Sequence, residues 1–152
     1  MTQGRSLGSF FVSYLSSLFD LHSSILFCGF WSVGKIVEHK ISSIIGKMII
    51  QKCDNSEYLG QTKCKILIIH GMKVGEADQD DLIPYNDIVT MVDALKNDNI
   101  NLVVTQDLEH NYYNEREDIQ QPIFEFYDLL YPQDKVFDRN YFRNTLNMYN
   151  GS

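Results

Sequence analysis

Lys65-Ile66-Leu67-Ile68-Ile69-His70-Gly71 carries the clearest secondary-structure signal in the chain, and the fold follows from how it is read. Ile66 to Ile69 run without a polar residue between them. A strand with one wet face alternates apolar and polar residues, whereas an unbroken run is a strand buried on both faces. Such strands belong to parallel sheets covered by helices, since parallel neighbours must be joined by a crossover of a dozen residues or more. Gly71 closes the run.

Two weaker runs flank it. Ser23-Ser24-Ile25-Leu26-Phe27-Cys28 is short, apolar and ends before Gly29, and Asn101-Leu102-Val103-Val104-Thr105 follows the turn-forming Asn97-Asp98-Asn99. The segments between keep helical period. Phe10, Phe11, Tyr14, Leu15, Leu18 and Phe19 recur at helix spacing with serines mostly between them, which predicts a helix burying that apolar face. From Val37, the positions Ile41, Ile44, Ile45, Met48 and Ile49 predict another, either a core helix or a cap over a site. Asp54-Asn55-Ser56-Glu57 is dense in N-cap residues, with room for only a turn or so before Gly60. Pro84 opens a helix through Tyr85, Ile88, Val89, Val92 and Leu95. Pro122 opens a last one through Phe124, Phe126, Tyr127 and Leu130, stopped by Pro132. Strand alternating with helix is α/β, here a parallel sheet of about three strands with helices on both faces. The domain is expected over 1–131, with an asparagine- and aromatic-rich tail over 132–152.

At 152 residues the chain is most simply one domain with a real core. Hydrophobic content of 44% and charged content of 22% are those of a globular protein, and the net charge of −7 argues against nucleic acid or an anionic membrane as partner. Cys28, Cys53 and Cys64 are odd in number and spaced unlike any metal site, so reduced thiols and a cytoplasmic setting are expected. Met1 to Phe19 has the outline of a secretory signal, but hydroxyl residues break the apolar run and no small-residue cleavage site follows.

The first residues hold the candidate chemistry. Gly4-Arg5-Ser6-Leu7-Gly8 reads G-x-S-x-G, a sharp strand-to-helix turn that presents a serine hydroxyl, and a side chain at Gly4 or Gly8 is expected to collide across it. The pattern is informative only when an acid and a histidine follow in that order. Here they do: Asp80-Asp81-Leu82-Ile83-Pro84 comes after the central strand and Glu109-His110-Asn111 after the next. His70 reads as a strand-end histidine outside the chemistry.

Taken together, these four motifs over residues 4 to 131 resemble the α/β-hydrolase fold. The subgroup resembled is the serine hydrolases that include protein depalmitoylases and serine aminopeptidase-like proteins. The resemblance implies Ser6 as nucleophile, Asp80 as triad acid, His110 as base and the backbone N–H of Leu7 as an oxyanion donor. It implies acyl esters or thioesters as substrates, including S-palmitoylated protein, and no metal or cofactor. Such depalmitoylases carry an N-terminal lipidated cysteine cluster, which this chain does not show before Cys28, so no stable membrane anchor is expected. The family spacing from strand to acid is shorter than the stretch Met72–Gln79, which leaves Asp78 and Asp81 as alternatives to Asp80.

Only Met1-Thr2-Gln3 precede the motif, where the family has its early strands, its elbow strand and a second oxyanion donor. The expectation is therefore a C-terminal half of the fold, with Ser6 on a nearly free terminus and poor activity in this form. The rival reading is an inactive fragment serving as an interaction module, or an incomplete gene model. A third reading, a generic doubly wound binding domain with accidental motifs, is supported by neither a G-x-G-x-x-G nor a G-K-[ST] loop.

Overall fold

A computed structural model of the chain describes residues 1–41, 45, 53–72, 82–106 and 108–131. Its centre is a four-stranded, wholly parallel sheet of β1 (Thr2–Arg5), β2 (Ser23–Phe27), β3 (Lys65–Met72) and β4 (Ile100–Gln106), in sequential order across the sheet. Every residue of β2 is buried, as is every residue of β3 but the two at its ends, whereas β1 and β4 at the flanks are only partly covered. Unbroken apolar runs therefore mark the interior strands.

The helices with described bounds are α1 (Leu7–Leu18), α2 (Val33–Lys40), α3 (Asn55–Leu59), α4 (Tyr85–Leu95) and α5 (Gln121–Leu130), the last preceded by a single π-helical turn over Glu115–Gln120. The sheet separates two cores. On one side Leu26, Ile66 and Ile68 pack with Val12, Leu59, Ile88 and Met91 from α1, α3 and α4. On the other, Ile25, Phe27, Leu67 and Ile69 meet Leu108, Phe126 and Tyr127. Burial on both faces supplies the driving force, about 1.5–3 kcal/mol for each large apolar side chain taken from water.

Three expectations change. The sheet has four strands rather than three. A strand does precede Ser6: Thr2–Arg5 pairs with Ser24–Phe27, so β2 is not left open on that side and Ser6 does not hang from a free end. The strand escapes sequence reading because it is four residues long, carries no aliphatic run and lies at the sheet's flank.

The second change concerns α1, whose buried residues are Ser9, Val12, Ser13 and Ser16, while Phe11, Leu15, Leu18 and Phe19 face outward. The serines are small enough to bring helix and sheet close. Their hydroxyls are satisfied inside: Ser13 donates to the Ser9 carbonyl (2.9 Å), Ser16 to that of Val12 (2.7 Å), and Ser16 also bonds Ser24 (2.8 Å). Buried hydroxyls so paired carry little penalty.

Third, the helix expected from Val37 begins earlier, with a described segment Val33–Lys40 capped by Ser32 through the Lys35 N–H (3.2 Å). Its continuation, apart from Ile45, lies outside the described residues, as does the tail from 132. No helix among the described residues is long and apolar enough to cross a membrane. The three cysteines stay unbridged.

Candidate active site

Ser6 joins β1 to α1 with φ 49° and ψ −120°, a conformation that costs an L-residue of order 1–3 kcal/mol and persists only where its surroundings over-determine it. Those surroundings are identifiable. The Ser6 N–H extends the ladder to the Phe27 carbonyl (3.0 Å), and the Ser6 carbonyl accepts from both the N–H and the hydroxyl of Ser9 (2.9 and 2.6 Å). Buried Asn55 donates to Ser9 Oγ (3.3 Å) and to the Phe30 carbonyl (2.6 Å), tying the turn to α3. The segment read as an N-cap cluster thus also braces the elbow.

The two glycines differ. A Cβ on Gly4 would stand 2.4 Å from the Gly8 carbonyl oxygen and 2.7 Å from Val12 Cγ2, so glycine is what lets α1 lie against β1. A Cβ on Gly8 would meet nothing within 4 Å, contrary to the expected collision. The Gly8 main chain lies against Gly4, but a side chain at position 8 would point into open space.

His110 reaches Ser6 from the far side of the sheet. Ser6 follows β1 and His110 follows β4, and strands at about 4.8 Å spacing set their ends roughly 14 Å apart. Nevertheless His110 Nε2 lies 3.1 Å from Ser6 Oγ, and His110 is buried. The loop after β4 closes the gap by turning back over the ends of β3 and β2. Leu108 is fully buried against β3, at a point where a Cβ on Gly71 would come within 1.9 Å of the Leu108 carbonyl oxygen. Glu109 N–H bonds the Tyr112 carbonyl (2.9 Å) to tighten the turn, and Tyr113 meets Phe27 edge-on at 5.1 Å between ring centres. Beyond it, Asn114 Oδ1 caps the π-helical turn through the N–H of Arg116 (3.1 Å), while the Asn114 N–H donates to Asp118 Oδ2 (2.6 Å).

Asp78, Asp80 and Asp81 lie outside the described residues. What is described are the two ends of their segment, which leaves the sheet at Met72 and returns at buried Ile83, whose carbonyl accepts from His70 Nε2 (3.0 Å). His70 is thus a fully buried strand residue that anchors the returning chain. Leu7 occupies the first position of α1, where a helix offers an N–H no internal partner. Among the described residues no three His, Cys, Asp or Glu side chains gather as a metal site. Arg5, Ser9 and Asn55 were not singled out as site residues from sequence, because the contacts that tie them to the site, Asn55 to Ser9 and Arg5 to His110, cross 46 and 105 residues of chain.

The described residues form a parallel sheet with helices on both faces, an α/β fold that matches α/β-hydrolase structures. Solved structures agree. The chain is similar to a puromycin hydrolase (7% identity, TM-score 0.63, covering 88% of this chain and 22% of that one). It is also similar to the esterase domain of a Rhodothermus marinus protein (10%, 0.58, 83% and 57%) and to the acylaminoacyl peptidase of Pyrococcus horikoshii (14%, 0.57, 90% and 25%). This chain therefore spans a little over half of the second and about a quarter or less of the others. No protein-family model and no curated sequence matches it.

Proposed function

We propose that this chain carries the nucleophile and base of a serine hydrolase acting on acyl esters or thioesters. The observation that carries the reading is the 3.1 Å approach of His110 Nε2 to Ser6 Oγ on a positive-φ elbow. A serine hydroxyl is a poor nucleophile until a base takes its proton. With the imidazole protonated on Nδ1, Nε2 accepts that proton as Oγ attacks the acyl carbon. The oxyanion forms near the Leu7 N–H, His110 returns the proton to the departing alcohol or thiol, and water then releases the acyl group from Ser6 by the same steps. Asp80 is assigned as the acid that orients His110, from its spacing to Ile83-Pro84, with Asp78 and Asp81 as alternatives. S-palmitoylated protein is the proposed substrate class by family resemblance, and the cytoplasm the proposed setting, consistent with the unbridged thiols.

A second reading, a hydrolase-fold unit that binds rather than reacts, is favoured by one observation: β1 has a strand neighbour on one side only among the described residues. Labelling with a fluorophosphonate probe separates the two. Labelling that Ser6→Ala abolishes supports the hydrolase, and a folded chain that does not label supports the second reading.

A further inference from the structure

We propose that Arg5 is a positioning residue for His110, an inference that rests on the Ser6–His110 reading above. Arg5 is the last residue of β1 and stands opposite Phe27 in the parallel register. Gly4, its neighbour, faces α1 and Val12. The alternation of the strand turns Arg5 to the opposite face, under the loop that follows β4. There its Nη2 donates to the main-chain carbonyl of His110 and to Asn111 Oδ1, the latter at 3.1 Å. The guanidinium carbon lies 5.2 Å from the ring centre of Tyr113 and 5.8 Å from that of Phe27.

Three residues of the histidine loop are therefore tied to the residue bonded directly to the nucleophile. The geometry explains why such a tie is needed. Ser6 and His110 belong to strands at opposite sides of the sheet, so the span of a loop, not the sheet itself, sets their separation. The Ser6–His110 hydrogen bond breaks with each turnover. The Arg5 contacts are independent of it, and any backbone drift that withdraws the imidazole must break the bond to the His110 carbonyl. A planar guanidinium donates to two acceptors while stacking on aromatic rings, which an ammonium cannot do at once.

The test compares Arg5→Met, which keeps the apolar stem and loses the donors, with Arg5→Lys and Ser6→Ala, using a fluorophosphonate probe over a concentration series. Misplacing a reacting group by about 1 Å costs up to about 100-fold, so Arg5→Met is expected to lower the limiting inactivation rate about 10- to 100-fold with probe affinity unchanged. Arg5→Lys should recover part of that loss. Amide hydrogen exchange reads the same tie without chemistry: His110 to Tyr113 should exchange faster in Arg5→Met while β3 keeps its protection. Arg5→Met labelling within twofold of the parent, or unchanged exchange in that loop, overturns the role of Arg5. So does a loss confined to probe affinity. Labelling that survives Ser6→Ala instead removes the underlying reading and leaves the exchange result to judge the tie.

Discussion

Gly71 and Leu108 touch where the chain after β4 crosses the end of β3, and the space for that crossing is the missing side chain of Gly71. An added Cβ would lie 1.9 Å from the Leu108 carbonyl oxygen and 2.9 Å from Leu108 Cδ2. Both are far inside contact distance. Leu108 is also fully buried among Ile69, Phe126 and their neighbours, so it cannot yield outward. The crossing sets how far toward Ser6 the histidine loop reaches, which links a core glycine to the Ser6–His110 distance.

Gly71→Ala should therefore act on both stability and reactivity. Forcing backbone apart in a packed core costs about 1–3 kcal/mol, and the displacement moves the start of the loop that ends in His110. Urea unfolding should show the lower midpoint, and fluorophosphonate labelling should slow at least about tenfold. A variant as stable and as reactive as the parent would mean that the loop finds another path.

The elbow glycines should respond in opposite directions. Gly4→Ala places a methyl group 2.4 Å from the Gly8 carbonyl oxygen and must push α1 from the strand, at a cost of about 1–3 kcal/mol. Gly8→Ala meets nothing and replaces glycine within a helix, a gain of about 0.5–1 kcal/mol. Thermal melts of the two variants check the pair, and equal losses would refute the geometry.

The inverted face of α1 makes a third contrast. Ser13 is fully buried and bonds the Ser9 carbonyl, so Ser13→Leu overfills the helix–sheet interface and should cost about 1–3 kcal/mol. Phe11 is 57% exposed, and Phe11→Ser should change stability by no more than about 0.5 kcal/mol. A residue-level reading that favours aromatic cores would predict the reverse, and denaturant midpoints decide between them.

How far sequence reached depends on what each residue signals. β2 and β3 were legible because burial on both faces leaves a short apolar run closed by a glycine. The spacing of Phe10 to Phe19 announced a helix but could not orient it. Ser9, Ser13 and Ser16 keep the same helical period on the other face, and only the presence of Ser24 and Asn55 opposite them makes that face the buried one. Thr2–Arg5 was hidden because a short flanking strand needs no apolar pattern, only a partner. Ser6 and His110 were named by motif and order, and their close approach accompanies the Gly71–Leu108 crossing and the Arg5 contacts, made across 37 and 105 residues of chain.

Tyr127 and Ser23 provide the last prediction, one of pH. Their hydroxyls share a hydrogen bond of 2.8 Å between α5 and the first residue of β2, in the interior. Burial pushes the Tyr127 phenol above its ordinary value, and the Ser23 bond only partly opposes that. A raised phenol pKa means that the native state holds its proton where the unfolded chain has begun to lose it. The contribution is fully present below the unfolded value of 10.0 and declines as pH rises past it toward the folded value. Tyr127→Phe removes the titrating group and leaves the Ser23 hydroxyl short of a partner, so near neutrality it should cost about 0.5–1.5 kcal/mol. Above about pH 10 the parent should lose stability faster than the variant, and the gap between them should narrow. Paired urea titrations near neutrality and above pH 10 measure that gap, and one that stays constant or widens would show that Tyr127 does not ionise in the way its burial requires.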